Sequence, residues 1–471
     1  MKRLSVRISA RISVRILPAR LPSLFLNLFL CLFCLLSASA FAQIGHRFPS
    51  ERKVVKDPVT EVMLTFLTSQ PHGDSKIYPT HPQWTSDGQW VIFRSSIAKG
   101  EAMAVNEQTG DIVQVSEGGY TGMLNVSTRA MKLYFMRSTD KSPREGKAGR
   151  PRQASPVELV EVDLAAVFAD SKAGKMKPAE SYQRICGVVP AEVGQAADLA
   201  LDAADEWIYF RETSQEAAKY LAKNARIEKS FGPRHMGAGP GGIAKMHVKT
   251  GEIRHVISVP FQIGHIQANL WNPGEIIFCW ETGGKSPQRT WVVMADGSGL
   301  RPLYPEADYE WVTHEAVISK DEVAMAIMGH RTIGGTANIA NKGTAVEGAN
   351  PGQDPGWGNA GTREKPSGLA IVNLRTREMR IAGQTPSGSG LWHVHGSSDG
   401  RWAVGDDFSR SIYLIDRLSG KMSLLSTGHK DTAADHPHPT FSPDGKKIEI
   451  QSAMLSADNR TLNICIIPVS N

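Results

Sequence analysis

The sequence predicts an all-β fold and, within that class, a seven-bladed β-propeller. Turns such as Ser-Asp-Gly recur along the chain, and each is followed by short runs rich in Val, Ile, Leu and aromatic residues. Many copies close on a second turn that contains glycine. Short strands at regular spacing are typical of propellers and other all-β folds. A pair of β-sandwiches is the competing prediction, but the regular spacing and the absence of a linker argue against it.

Seven copies of this pattern follow one another. In chain order they contain residues 84–94, 132–136, 207–210, 272–278, 320–326, 398–416 and 442–467. Because each blade of a propeller buries its apolar face against its neighbour, such units can close into a ring. The apolar run at residues 62–67 precedes the first copy. We expect it to pair in the last blade, which contains residues 440–468, and so to close the ring.

The first 42 residues have the composition of an export signal. They contain six basic residues and no acid, an apolar run at residues 24–36, and the sequence Ala40-Phe41-Ala42, which fits a signal-peptidase site. That apolar run is too short to span a bilayer. We therefore predict a signal peptide at residues 1–42 and a single propeller domain at residues 43–471. The mature protein is then expected in the periplasm or secreted, with no membrane span.

The formal charge of +6 lies in the predicted signal peptide. Six of the 53 basic residues are found there, so residues 43–471 contain 47 basic and 47 acidic residues. A nucleic-acid-binding surface requires a basic excess. We therefore expect no nucleic-acid partner.

Two segments interrupt the strand pattern. Residues 330–366 are rich in Gly, Asn, Thr and Pro and are predicted to form a long loop insertion. Residues 231–242 are rich in Gly and Pro and are predicted to form a second loop. Loops on a rigid scaffold often carry binding residues. Cys279 and Cys465 lie in apolar runs and are predicted to be buried thiols.

Six of the 14 histidines lie seven or nine residues before the turn of their copy, namely His81, His265, His314, His393, His436 and His438. In a propeller this position belongs to the innermost strand, so these side chains are expected to point into the central channel. Residues two apart share a strand face, which also directs His395 towards the channel. Any one of them could simply bind water or a neighbouring strand. A set that converges from several blades suits a divalent transition metal, because neutral imidazole is its commonest ligand.

The segments that carry these histidines resemble the oligogalacturonate lyases. They are Ile263-Gly-His-Ile, Thr313-His-Glu315, Trp392-His393 and His436-Pro-His-Pro-Thr-Phe441. The likeness extends over most of residues 43–471 and is best from about residue 240 onwards. It implies a seven-bladed propeller that holds Mn²⁺ and cleaves short pectic oligouronides by β-elimination.

The resemblance also implies residue roles. His314, His436 and His438 correspond to metal ligands, and His265 corresponds to the base that removes a proton. The family has a glutamine ligand three residues before the His-Pro-His pair, where this chain has Ala433. We therefore expect His393 to complete the metal shell.

The family's catalytic arginine has no clear counterpart in this chain. Arg234, in the Gly/Pro-rich segment, and Arg289 are the candidates, the first for catalysis and the second for substrate binding. His81 and His395 are further candidates for substrate binding.

A different class of function is a non-catalytic periplasmic propeller of the TolB type that binds protein or glycan. The fold alone does not exclude it. No Gly-x-Ser-x-Gly nucleophile motif and no convincing pair of glycosidase carboxylates occurs in the sequence. The convergence of histidines is the feature that favours a metal-dependent enzyme.

Overall fold

The computed structural model describes residues 43–98, 100–140, 155–230, 235–282, 286–307, 310–328, 367–384 and 390–469. The predicted signal peptide, the loop insertion at residues 330–366 and Arg234 lie outside these ranges. Among the described helices, none is long and apolar enough to cross a membrane.

Strands make up most of the regular structure. Those before residue 262 are β1 (Arg47–Phe48), β2 (Lys53–Lys56), β3 (Met63–Phe66), β4 (Asp74–Lys76), β5 (Trp90–Ser95), β6 (Ala102–Asn106), β7 (Ile112–Gln114), β8 (Thr121–Val126), β9 (Lys132–Ser138), β10 (Val157–Asp163), β11 (Gln183–Val189), β12 (Gly194–Leu201), β13 (Trp207–Glu212), β14 (Ala238–His247) and β15 (Ile253–Phe261). Those after it are β16 (Ile263–Ala268), β17 (Glu275–Trp280), β18 (Thr290–Met294), β19 (Arg301–Pro302), β20 (Trp311–Ser319), β21 (Glu322–Met328), β22 (Ser367–Asn373), β23 (Met379–Gln384), β24 (Val394–Gly396), β25 (Trp402–Asp406), β26 (Ile412–Asp416), β27 (Met422–Ser426), β28 (Thr440–Phe441), β29 (Lys447–Ser452) and β30 (Asn463–Pro468).

The strands form seven antiparallel sheets, one for each predicted repeat. The second to sixth blades are β8–β11, β12–β15, β16–β19, β20–β23 and β24–β27, each formed by four consecutive strands. The first blade contains β4–β7, with β1 added at its outer edge. The seventh contains β28–β30, with β3 and β2 added. The predicted seven-bladed β-propeller is therefore confirmed.

The ring closes where the sequence predicts it. Strand β3, within the apolar run at residues 62–67, pairs with β30, and Thr65 lies opposite Ile466. A second connection was not predicted: β1 pairs with β7 of the first blade. The N-terminal strands therefore contribute to two blades, the seventh and the first, and cover a strand edge in each.

Apolar side chains fill the space between neighbouring blades. One buried cluster, for example, joins Val404 and Ile412 of the sixth blade to Ile448 and Ile450 of the seventh. The predicted burial of the thiols is confirmed, since Cys279 and Cys465 are both buried and unpaired. Each blade thus holds its neighbour, and the innermost strands are fixed in place.

Three short helical segments interrupt the second and third blades. They are α1 (Leu164–Ala173), a 3₁₀ turn (Ala179–Ser181) and α2 (Ser214–Ala218). Helix α1 begins where the Asp163 side chain accepts a hydrogen bond from the Ala166 backbone N–H, and it ends at Gly174 in the left-handed conformation.

The loop predicted at residues 231–242 is partly wrong, because β14 begins at Ala238. The glycines of this segment mark close packing within a strand. A Cβ atom on Gly239 would clash with the Pro260 backbone, and one on Gly242 would clash with the Glu212 side chain. Glycine in a strand interior often marks such a close approach.

Candidate metal centre in the central channel

The first strands of successive blades surround the axis of the ring. Strands β8, β12, β16, β20, β24 and β28 each contact the first strand of a neighbouring blade. His265 lies in β16 and His314 in β20, whereas His393 immediately precedes β24. His436 and His438 lie just before β28. Two of the predicted histidines, His265 and His314, therefore lie on innermost strands, whereas His393, His436 and His438 lie immediately before one.

Three of these histidines adopt an unusual backbone conformation. The φ angles of His265, His314 and His438 are 51°, 53° and 55°. The pairing of β16 with β17, and of β20 with β21, shifts register around the first two of these residues. A bulge of this kind redirects side chains out of the normal alternation. A left-handed conformation costs about 1–3 kcal/mol for a residue other than glycine, and such strain is concentrated at functional sites.

The four predicted metal ligands lie together, with His393 at their centre. The centroid of its ring is 4.1 Å from that of His314 and 3.9 Å from that of His438. The His436 ring is 5.2 Å away. We call these four residues the histidine cluster.

A polar group contacts the Nδ1 atom of every imidazole in the cluster. The Tyr78 hydroxyl is 2.5 Å from His314 Nδ1, and the Gln451 side-chain amide is 3.3 Å from His438 Nδ1. No Nε2 atom of the cluster makes a hydrogen bond to a described residue, and the His438 Nε2 atom lies 3.6 Å from Asp435 Oδ1. Histidines that bind metals are usually held in this way, through the ring nitrogen that does not bind the metal.

Asp406 holds the other two imidazoles and was not predicted from the sequence. Its Oδ2 atom is 3.0 Å from His436 Nδ1 and 3.4 Å from His393 Nδ1. Potential ligand atoms of these three residues lie within 4.8 Å of one another, so the carboxylate could also bind a metal itself. Asp406 is fully buried at the end of β25, which is the second strand of its blade. In the sequence, the only feature that pointed to Asp406 was its position next to a second acidic residue, Asp407.

Burial keeps His314, His393 and His438 neutral. It lowers the pKa of His438 to about 3 and holds the pKa values of His314 and His393 well below that of free imidazole. Only a neutral imidazole has the lone pair that binds a metal. The donor set, imidazole nitrogens with one carboxylate, fits a divalent transition metal such as Mn²⁺.

His265 lies beside the cluster and is held by carboxylates. Its ring is 6.4 Å from that of His314. Its Nδ1 atom is 3.1 Å from Glu315 Oε1, and its Nε2 atom is 3.4 Å from Glu281 Oε2. Burial lowers the pKa of His265, but the Glu315 and Glu281 carboxylates outweigh that effect and raise it. This environment favours a histidine that accepts a proton.

A second group of potential ligands, His265, Cys279 and Glu315, has atoms within 4.8 Å of one another. It fits a metal less well, because Arg289 Nε donates a hydrogen bond to Glu315 Oε2 at 3.1 Å. The guanidinium is buried and already neutralises that carboxylate. Of the two groups, His393, Asp406 and His436 are therefore the better candidate metal site.

The predicted substrate-binding residues lie in different places. Arg289 Nη2 is 3.4 Å from His265 Nδ1, so Arg289 is next to the predicted base. His81 Nε2 is 2.7 Å from the Leu199 carbonyl oxygen. His81 and His395 line a separate cavity of about 270 Å³, whose lining contains no member of the histidine cluster.

Tyr78 is a further residue that the sequence did not indicate. It follows β4 in an irregular segment, and its ring is 5.2–6.4 Å from those of His265, His314, His393 and His438. Burial raises its pKa well above 10, so the hydroxyl stays protonated. We infer that Tyr78 positions His314.

Replacing Tyr78 with phenylalanine is expected to weaken Mn²⁺ binding about 10–100-fold, because the hydroxyl that orients His314 is lost while the ring remains. Titration of chelator-treated protein with Mn²⁺ measures the effect. Tyr134→Phe is the control, since it removes a tyrosine hydrogen bond to Glu161 in the second blade. Unchanged Mn²⁺ affinity in Tyr78→Phe would show that Tyr78 does not position a ligand.

Comparison with known proteins agrees with the fold. No protein-family model and no curated protein sequence matches the chain. An oligogalacturonate lyase solved in complex with manganese is similar with a TM-score of 0.64 and 17% identity, over 91% of this chain and 99% of that one. The oligogalacturonate lyase of Vibrio parahaemolyticus gives a TM-score of 0.65 and 16% identity over the same shares of the two chains. The resemblance to the oligogalacturonate lyases that the sequence indicates is therefore confirmed at the level of the fold.

Proposed function

We propose that this protein is a metal-dependent lyase that cleaves oligogalacturonides or related oligouronides by β-elimination, as part of pectin degradation. The observation that carries the proposal is the histidine cluster beside His265. The cluster offers four Nε2 atoms, each on a ring held through Nδ1. His265 is instead held by Glu315 and Glu281. We further propose Mn²⁺ as the cofactor, and the periplasm or the cell exterior as the location.

The residues of the cluster would hold the cation in the channel. Bound there, a divalent cation stabilises negative charge on a substrate carboxylate, an effect of several kcal/mol on the transition state. His314, His393, His436 and His438 would be the nitrogen ligands. Asp406 keeps the rings of two of them in place through hydrogen bonds.

His265 would act as the base. The C5 proton of a uronate lies α to the carboxylate, and His265 Nε2 removes it. The C5–H electron pair forms the C4=C5 double bond, the C4–O bond breaks, and the departing oxygen gains a proton. Glu315 orients the imidazole through Nδ1 and stabilises its protonated form. A positioned base of this kind contributes roughly 10²–10⁴-fold to the rate.

Arg289 stabilises the arrangement of His265 and Glu315. It contacts both His265 and Glu315, and its side chain is only 2% exposed. A direct contact with substrate remains a prediction for Arg289, and equally for Arg234, His81 and His395.

The alternative function is a propeller that binds protein or glycan without changing it. Incubation with trigalacturonate distinguishes the two, because elimination creates an unsaturated uronate that absorbs in the ultraviolet. We expect this absorbance to rise together with the number of reducing ends. Reducing ends without absorbance would indicate hydrolysis, and an unchanged substrate would indicate a binding protein. Either result would overturn the proposed function.

A further inference from the structure

We propose that Arg410 forms an anion-binding subsite beside the histidine cluster, where its guanidinium binds a carboxylate of the substrate. This inference rests on the proposed function and adds a specificity-determining residue to it.

Arg410 lies in the turn between β25 and β26, four residues after Asp406. Its backbone has a φ of 66°, and its N–H donates to the Asp407 carbonyl oxygen at 3.0 Å. From the same turn, the Phe408 ring lies 5.2 Å from that of Trp392 and 6.3 Å from that of His436. The turn therefore packs against the residues that form the metal centre.

The guanidinium of Arg410 has unused hydrogen-bond donors. Its Nε and Nη1 atoms are buried, and neither donates to any group in the part of the chain that the structure describes. Buried donors without a partner are rare in folded proteins, because they lose their hydrogen bonds to water. Arg417 also has two such donors, but its Nη2 donates to Glu322 at 2.7 Å. Among the described residues, no carboxylate forms a comparable contact with Arg410.

The positive charge of Arg410 acts on imidazoles of the histidine cluster. Burial lowers the pKa of Arg410, whereas the carboxylates of Asp406, Asp435, Asp431 and Asp407 raise it, and the guanidinium stays protonated. Its positive charge in turn lowers the pKa values of His393 and His438. None of these carboxylates accepts a hydrogen bond from the buried Nε or Nη1 atom, so both donors are available to an anionic ligand.

Among the groups of an oligouronide, the carboxylate fits the Arg410 guanidinium best. A guanidinium presents parallel N–H donors that match the two oxygens of a carboxylate. Every sugar of an oligogalacturonide carries a carboxylate, and methyl esterification removes both its charge and one acceptor oxygen. Arg410 would therefore distinguish the free acid from the ester.

Calorimetric binding of trigalacturonate and of its methyl ester to Mn²⁺-loaded protein tests the inference. The parent is His265→Ala, so that the ligand is not consumed. Arg410→Gln and Arg410→Lys are added to this parent. The matched control is Arg401→Gln, which removes an exposed arginine paired with Asp416 in the same blade.

We expect Arg410→Gln to weaken binding of the free acid about 10–100-fold and to leave binding of the ester unchanged. Arg410→Lys should lose less of the free-acid affinity, and Arg401→Gln should lose none of it. Unchanged free-acid affinity in Arg410→Gln, or an equal loss for acid and ester, would overturn the role of Arg410 while leaving the proposed function intact. A parent that binds neither ligand would overturn the proposed function and this inference together.

Discussion

Replacing His265 with alanine is expected to lower the turnover of oligogalacturonide about 10²-fold or more, while Mn²⁺ stays bound. The variant loses the group that we propose removes the C5 proton. It retains all four residues of the histidine cluster, together with the Nδ1 contacts that hold them. Initial rates by ultraviolet absorbance, together with the metal content of the purified protein, measure both parts of the prediction.

The matched control is His247→Ala, because His247 lies outside the channel and contacts Thr250 near the protein surface. It should retain full turnover. Loss of metal in His265→Ala would make His265 a ligand, whereas undiminished turnover would assign the base to another residue.

The double variant His436→Ala/His438→Ala is expected to lose bound metal and, with it, measurable elimination. It removes two of the four imidazoles and leaves His393 and His314 without enough partners to hold a cation tightly. Metal analysis after dialysis against a fixed Mn²⁺ concentration is the measurement. Thermal unfolding without metal shows whether the fold is retained.

The corresponding control is His72→Ala/His247→Ala, which removes two histidines that are not in the channel. It should bind as much Mn²⁺ as the unmodified protein. Equal metal content in the two double variants would disprove the assignment of the cluster as the metal site.

The repeat spacing explains why much of the fold and of the cluster could be predicted. A propeller repeats one strand order in every blade, so residues at the same distance from their turns occupy the same place around the axis. His314, His393 and His438 share one such distance and do lie together, whereas His81, at the same distance, contacts the Leu199 carbonyl oxygen instead. His436 also lies beside His393, although His436 and His438 precede β28 and do not share a strand face as predicted.

The rest of the site depends on contacts that no repeat specifies. Asp406 lies on the second strand of its blade and reaches the cluster only because of the way β25 pairs beside β24. Tyr78 comes from an irregular segment after β4 and contacts imidazoles from three other blades. Neither residue belongs to a motif. The bulges at His265 and His314 could not be predicted from the sequence either, because they arise from strand pairing.

The most direct test of the central claim is the ultraviolet absorbance produced from trigalacturonate by one sample of protein in three states. The sample is assayed as purified, after removal of metal with EDTA, and after dialysis and addition of Mn²⁺. Metal-dependent elimination at the histidine cluster predicts that absorbance rises in the first state, stops in the second and returns in the third. An unchanged rate after EDTA, or no rise in absorbance in any state, would contradict it.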